Sequence, residues 1–168
     1  MTISQEKADL LETLAAHRYF LRFTVRDLDG PQLALRTTVS ELSLGGILKH
    51  VTAVERGWAN FITHGPCALG SSDEDSVRAH QEGFRVSEQD TAPALLAAYE
   101  EVAAATDTLV RELPDLDVAH PLPEAPWFPP GAKWSARRAL LHIIAETAQH
   151  AGHADIIRES LDGAKTMG

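Results

Sequence analysis

Residues 135–163 have the sequence SARRALLHIIAETAQHAGHADIIRESLDG, which has the features of one long helix. Ser135 is a residue type that caps helix N-termini, and Asp162-Gly163 is a typical C-terminal stop. At about 100° of rotation per residue, four titratable side chains fall within an arc of roughly 80°. They are His142, Glu146, His150 and His153. The sequence therefore predicts a long helix that carries a titratable stripe on one face.

The residues around this stripe indicate that it points into the protein. Ile143, Ala154 and Ile157 lie beside it or just past it, whereas Asp155 and Glu159 fall on the other side of the helix. Three imidazoles and a carboxylate are costly to bury without partners. A metal ion is one of the few partners that satisfies several such groups together, so the stripe favours a metal site.

The remaining apolar periodicity predicts three more helices of similar length. They cover residues 4 to about 28, 43 to 65, and 90 or 91 to 113. Residues 31–42 are predicted to be a connector with a short helical turn at most. Residues 66–89 and the proline-rich residues 114–133 are predicted to be two long connections, and no segment alternates like a strand. We therefore predict one all-α domain over residues 1–168, a four-helix bundle.

The composition excludes several classes of protein. The chain has 168 residues, 44% of them hydrophobic, and a formal net charge of -9, which disfavours binding to nucleic acid phosphates. Arg18, Arg22 and Arg26 form a basic stripe on the first helix, which we interpret as a solvated face. A single cysteine, Cys67, rules out an internal disulfide framework, and no apolar run is long enough to span a membrane. We expect a cytoplasmic protein that acts on a small molecule.

Within the predicted metal site, Glu146 and His150 have the i, i+4 spacing by which one helix supplies two ligands to one ion. His50, in the apolar stripe of the second long helix, is the best-placed third ligand. Three protein ligands leave one position open, as in catalytic sites, and zinc suits these donors, with nickel, iron or manganese as alternatives. His153 is predicted to orient a ligand or to act as a general base, and His142 to be a supporting or core residue.

Two segments resemble a known family. LKHVTAVERGW, residues 48–58, and LLHIIAETAQHAGHADIIRESLDG, residues 140–163, resemble the DinB/YfiT-like superfamily, and most of all its actinobacterial branch near the metal-binding domain of mycothiol-dependent maleylpyruvate isomerase. The resemblance implies up-down-down-up connectivity, a homodimer, and a divalent metal held at the positions of His50, Glu146 and His150. It also implies transfer or isomerisation on a small electrophile with mycothiol or a similar thiol as cofactor. Many relatives have Gln where this chain has His153.

Three other interpretations stay open at this point. A metal-dependent hydrolase would use bound water in the same site, and a non-catalytic stress protein would bind metal without an open position. A buried hydrogen-bond network could also hold the polar stripe without any metal. The sequence likewise leaves open whether residues 66–89 close over a cavity, and whether Trp127-Phe128 covers the mouth of a cavity or packs on the bundle.

Overall fold

The computed structural model describes residues 3–70, 78 and 82–167. Over these residues the chain forms four long helices, one short α-helix, a 3-10 helix and a two-stranded hairpin. In chain order they are α1 (Gln5–Val25), α2 (Gly30–Ala34), α3 (Leu44–His64), the 3-10 helix Pro66–Leu69, α4 (Ala92–Glu112), β1 (Ala119–Pro121), β2 (Lys133–Ser135) and α5 (Ala136–Asp162). The predicted bundle is confirmed, and within the described residues no helix is long and apolar enough to cross a membrane.

Local capping sets the boundaries of the long helices. Each begins after a Ser or Thr whose side chain accepts a hydrogen bond from the backbone N–H three residues further on, and these residues are Ser4, Ser43, Thr91 and Ser135. Such caps satisfy one of the backbone donors that a helix start leaves without a partner. At the other end of α5, Gly163 adopts φ 79°, the left-handed conformation that glycine accepts without steric cost.

Side-chain contacts give the relative directions of α1, α3 and α5. α1 and α5 are parallel, because their starts meet and their ends meet. The contacting pairs are Glu6 with Arg137 and Thr24 with Arg158. α3 is antiparallel to α5, because the start of one lies beside the end of the other. The contacting pairs there are His50 with His150 and Trp58 with His142.

α4 completes the bundle between α3 and α1. It is parallel to α3, since Lys49 bonds Asp90 just before α4 begins, while Asn60 and Ala105 border one groove further along both helices. It is antiparallel to α1, where the contacting pairs are Arg22 with Glu100 and Lys7 with the carbonyl of Leu113. The four long helices therefore run up, down, down and up, as the family resemblance implied.

Arg18 departs from the prediction of a solvated basic stripe. Its side chain is only 3% exposed, and it pairs with the fully buried Glu55 of α3 and with Asp107 of α4. Because Arg18 lies on α1, this group ties three helices together. A buried guanidinium is tolerated here because carboxylates occupy its donors. The periodicity of α1 alone could not reveal these partners, which come from distant parts of the chain.

The connections differ in part from what the sequence predicted. Residues 114–133 form no helix, as expected, but Ala119 pairs with Ser135 and Pro121 with Lys133 in a short antiparallel hairpin. Strands of three residues are too short to produce a recognisable alternation. The hairpin carries Trp134 against α3 and α5. The question of whether residues 66–89 close over the cavity falls in part on residues 71–77 and 79–81, which lie outside the described residues.

Candidate metal centre

Two imidazoles and a carboxylate meet where α3 passes α5. His50 projects from α3, and Glu146 and His150 project from α5. One potential ligand atom from each of the three lies within 4.8 Å of the other two. The Glu146 Oε2 atom is 3.6 Å from His50 Nε2 and 3.7 Å from His150 Nε2. The three ligands predicted from two distant segments, His50, Glu146 and His150, therefore lie together in the fold.

The positions of these side chains follow from two features of the backbone. Glu146 and His150 are four residues apart, so they lie one above the other on the same face of α5. The antiparallel packing of α3 brings His50 opposite them, with its ring centroid 4.7 Å from that of His150 and the rings inclined by 68°. All three belong to continuous long helices, whose packing limits how far the ligand atoms can separate.

Burial and neighbouring groups set the protonation of the cluster. Burial is the main cause that lowers the pKa of His150 to about 4, and the His50 ring acts in the same direction. The adjacent His50 imidazole is the main cause that lowers the pKa of the Glu146 carboxyl, although burial opposes it. Near neutral pH, His150 is therefore neutral and Glu146 is ionised. These are the forms in which imidazole and carboxylate bind metal ions.

His153 lies behind the cluster rather than beside the cavity. Its ring centroid is 5.3 Å from that of His150, with the rings inclined by 71°, and it is not among the residues that line the cavity. The Nδ1 atoms of His150 and His153 are buried, and neither has a hydrogen-bond partner among the described residues. His153 therefore borders the ring that it was predicted to orient, and its catalytic role stays a prediction.

His142 lies closer to the chemistry than the sequence suggested. It lines the cavity, and its Nε2 atom is 3.9 Å from Glu146 Oε1. Its ring meets Trp58 and Trp134 edge-on at centroid distances of 4.9 and 5.3 Å. Burial lowers its pKa, and the Glu146 carboxylate partly offsets this. The sequence placed His142 on the correct helix face but could not show that a cavity reaches its level along the helix.

A cavity of about 650 Å³ opens in front of the cluster. His50, Glu146 and His150 form one wall. Much of the remainder is aromatic, with contributions from Trp58, Phe84, Trp127 and Phe128. Trp127 is 63% exposed at the mouth, and Phe128 also packs against the core. Both residues therefore line the cavity, and Phe128 also packs on the bundle.

The aromatic wall is continuous from the mouth of the cavity to the cluster. Trp127 contacts Phe128, whose ring meets Trp134 edge-on at a centroid distance of 5.8 Å. Trp134 stacks on Trp58 at 4.6 Å, and Trp58 meets His142. Interlocked rings of this kind hold their positions well, because each is confined by the next. The cavity therefore combines a polar, ligand-like end with a rigid apolar side.

Phe84 is a residue of the site that sequence reasoning missed. It comes from the connection between α3 and α4, and its ring stacks on His50 at a centroid distance of 4.2 Å with an interplanar angle of 19°. No periodic pattern surrounds it, so the sequence offered no signal for its position. It could be located only through the packing of its backbone against α3.

The fold and the cluster together define a class, that of up-down-down-up bundle proteins with a His, Glu and His group on the second and last long helices. The chain belongs to the mycothiol-S-transferase family, whose model matches residues 9–163. This confirms the resemblance to the DinB/YfiT-like superfamily. No curated protein matches the chain in sequence.

A solved structure supports the same fold. It is described as the conserved protein of locus from Enterococcus faecalis, with a TM-score of 0.69 and 15% sequence identity to this chain. The similarity covers 98% of this chain and 99% of the other. At this level of identity the likeness extends to the fold and does not transfer a function.

Proposed function

We propose that this protein is a divalent-metal-dependent enzyme that activates mycothiol, or a similar low-molecular-weight thiol, for transfer to or isomerisation of a small electrophile. The observation that carries the proposal is the convergence of His50, Glu146 and His150 at the wall of an open cavity. Membership of the mycothiol-S-transferase family supports the choice of thiol.

The donor set fits a divalent ion. Two imidazole nitrogens and one carboxylate oxygen are ligands that zinc accepts, and their separations allow one ion to contact all three after small adjustments. Nickel, iron and manganese accept the same donors. When bound, such an ion supplies Lewis acidity, which lowers the pKa of a thiol or water beside it. Because His150 is already neutral, it need not lose a proton before it can act as a ligand.

The other residues of the cavity have separate roles in this proposal. Glu146 receives contacts from His50, His142 and His150, which restrict its carboxylate to the cavity wall. The aromatic wall presents apolar surface to the electrophile. Trp127 is largely exposed, so a bound substrate that contacts it would bury much apolar surface. The volume of about 650 Å³ can hold more than one small molecule. This suits a reaction that joins or rearranges two partners.

Metal content tests the proposal most directly. The purified protein should contain about one divalent ion per chain, and His50→Ala and His150→Ala should lose it on dialysis. His64→Ala is the matched control, because His64 is an exposed histidine of the same helix as His50 that does not line the cavity. Full metal content in both ligand variants would refute the metal centre.

Thiol dependence requires a second measurement. Addition of mycothiol or an analogue should change the visible spectrum of the cobalt-substituted protein, because the thiol would enter the open coordination position. An unchanged spectrum at millimolar thiol, with activity toward esters or amides, would favour the hydrolase. An unchanged spectrum together with the lack of an exchangeable water would favour a non-catalytic metal-binding protein.

A further inference from the structure

Two glycines at the start of α3 allow another part of the chain to lie directly on the helix. A Cβ atom at Gly46 would overlap the carbonyl oxygen of Phe84 and would lie 3.2 Å from its carbonyl carbon. A Cβ atom at Gly45 would lie 2.8 Å from the Cγ2 atom of Val86. Both glycines are buried. The backbone at Phe84 could not come this close to α3 if a side chain were present at Gly46.

Hydrogen bonds hold the same segment in place. Lys49 Nζ donates to the carbonyl oxygen of Arg85 at 2.8 Å and to Asp90 Oδ2 at 2.9 Å. The backbone N–H of Ser87 donates to the same carboxylate oxygen at 2.7 Å. The residues just after Phe84 are therefore attached to α3 by a lysine next to His50. This attachment fixes the point from which the ring of Phe84 extends.

The ring of Phe84 reaches the metal cluster from this point. Gly46 and His50 are one helical turn apart and share a face of α3, so a chain that lies on Gly46 can place its side chain on His50. The two rings are nearly parallel, at a centroid distance of 4.2 Å. His150 approaches His50 edge-on at 4.7 Å. The His50 imidazole is therefore confined by Phe84 over its face and by His150 at its side.

We propose that Phe84 is a positioning residue of the metal centre. The missing side chain of Gly46 is what allows the Phe84 backbone to lie on α3. The stacked phenyl ring restricts rotation of the His50 imidazole and so keeps its Nε2 atom directed at the Glu146 carboxylate. This inference rests on the proposed metal centre. It assigns Phe84 no contact with the reacting atoms, and it separates Phe84 from the aromatic residues that only wall the cavity.

Cobalt binding to the metal-free protein tests this role. Phe84→Leu keeps an apolar side chain but removes the flat ring, and it should weaken cobalt binding on the order of tenfold and alter the visible spectrum. Phe84→Tyr restores a flat ring and should restore both. Gly46→Ala should reproduce the loss with Phe84 intact, because its Cβ displaces the backbone. Gly152→Ala, at an exposed helical glycine with no atoms within 4 Å of the added Cβ, is the control and should bind like the wild type.

A metal-free readout keeps the test decisive if Gly46→Ala does not fold. In the NMR spectrum of the metal-free wild type, stacking should shift the carbon-bound ring protons of His50 upfield, and Phe84→Leu should abolish the shift. If Phe84→Leu binds cobalt with wild-type affinity and gives the wild-type spectrum, the positioning role is overturned. A change in KM for the substrate alone, with cobalt binding unchanged, would overturn it as well. Failure of the wild type itself to bind cobalt would instead refute the metal centre, and with it the role of Phe84.

Discussion

Removal of the charge on Glu55 should destabilise the bundle without touching the cavity. Glu55 is fully buried, and it binds Arg18 through both carboxylate oxygens, with Arg18 Nε 3.2 Å from Oε2. Glu55→Gln keeps the shape of the side chain. It leaves one acceptor where there were two and turns an amide N–H₂ toward the donors of Arg18. A buried cation thereby loses its main counterion.

The second partner of Arg18 limits the size of this effect. Loss of one member of a buried ion pair costs about 3–5 kcal/mol. Asp107 still accepts a bond from Arg18 at 2.7 Å and is 27% exposed, so part of the charge stays compensated. We therefore expect the lower end of that range, about 3 kcal/mol. For a chain of 168 residues, this corresponds to a fall in Tm of roughly 6–12 °C.

Urea unfolding followed by circular dichroism measures this difference. Both proteins should be metal-free, because metal binding would add its own stabilisation. Glu159→Gln is the matched control, since Glu159 pairs with Lys165 at 3.0 Å with both side chains about half exposed. It should cost less than about 0.5 kcal/mol. A loss in Glu55→Gln no larger than in the control would show that Asp107 alone satisfies Arg18, and would refute the reasoning.

Two further predictions concern the site itself. His150 has a pKa of about 4 when folded and an ordinary value of 6.5, so between these values the unfolded chain binds the proton first and stability falls with acidification. From pH 6.5 to 5 this group should cost the metal-free protein about 1.5 kcal/mol of stability, and His150→Gln should lose less, as measured by urea midpoints. Trp127→Ala should raise KM for an apolar electrophile roughly threefold to tenfold, with a smaller change in kcat. Tyr19→Ala, at an exposed aromatic residue outside the cavity lining, should leave KM unchanged, and equal effects of both variants would argue against an aromatic subsite.

Much of the fold was predictable because it depends on local interactions. Ser43 and Ser135 cap their helices through bonds to backbone atoms three residues away, and Gly163 ends α5 by its own conformational freedom. Contacts of this kind join residues that are close in sequence, so the sequence alone predicts them. The hairpin at Ala119 was missed because three residues of strand gain stability from pairing with residues 133–135 and not from a pattern of their own.

The amino-acid sequence by itself determined the long helices, their caps and the angular position of the titratable stripe on α5. Helical spacing specifies the angle of a side chain about the helix axis. It does not specify where along that axis the packing of neighbouring helices leaves a cavity. Only the tertiary structure decided that His142 lines the cavity while His153 lies behind His150. It also decided that Arg18 is buried and that Phe84 stacks on His50, because each depends on a partner from a distant part of the chain that packing alone brings near.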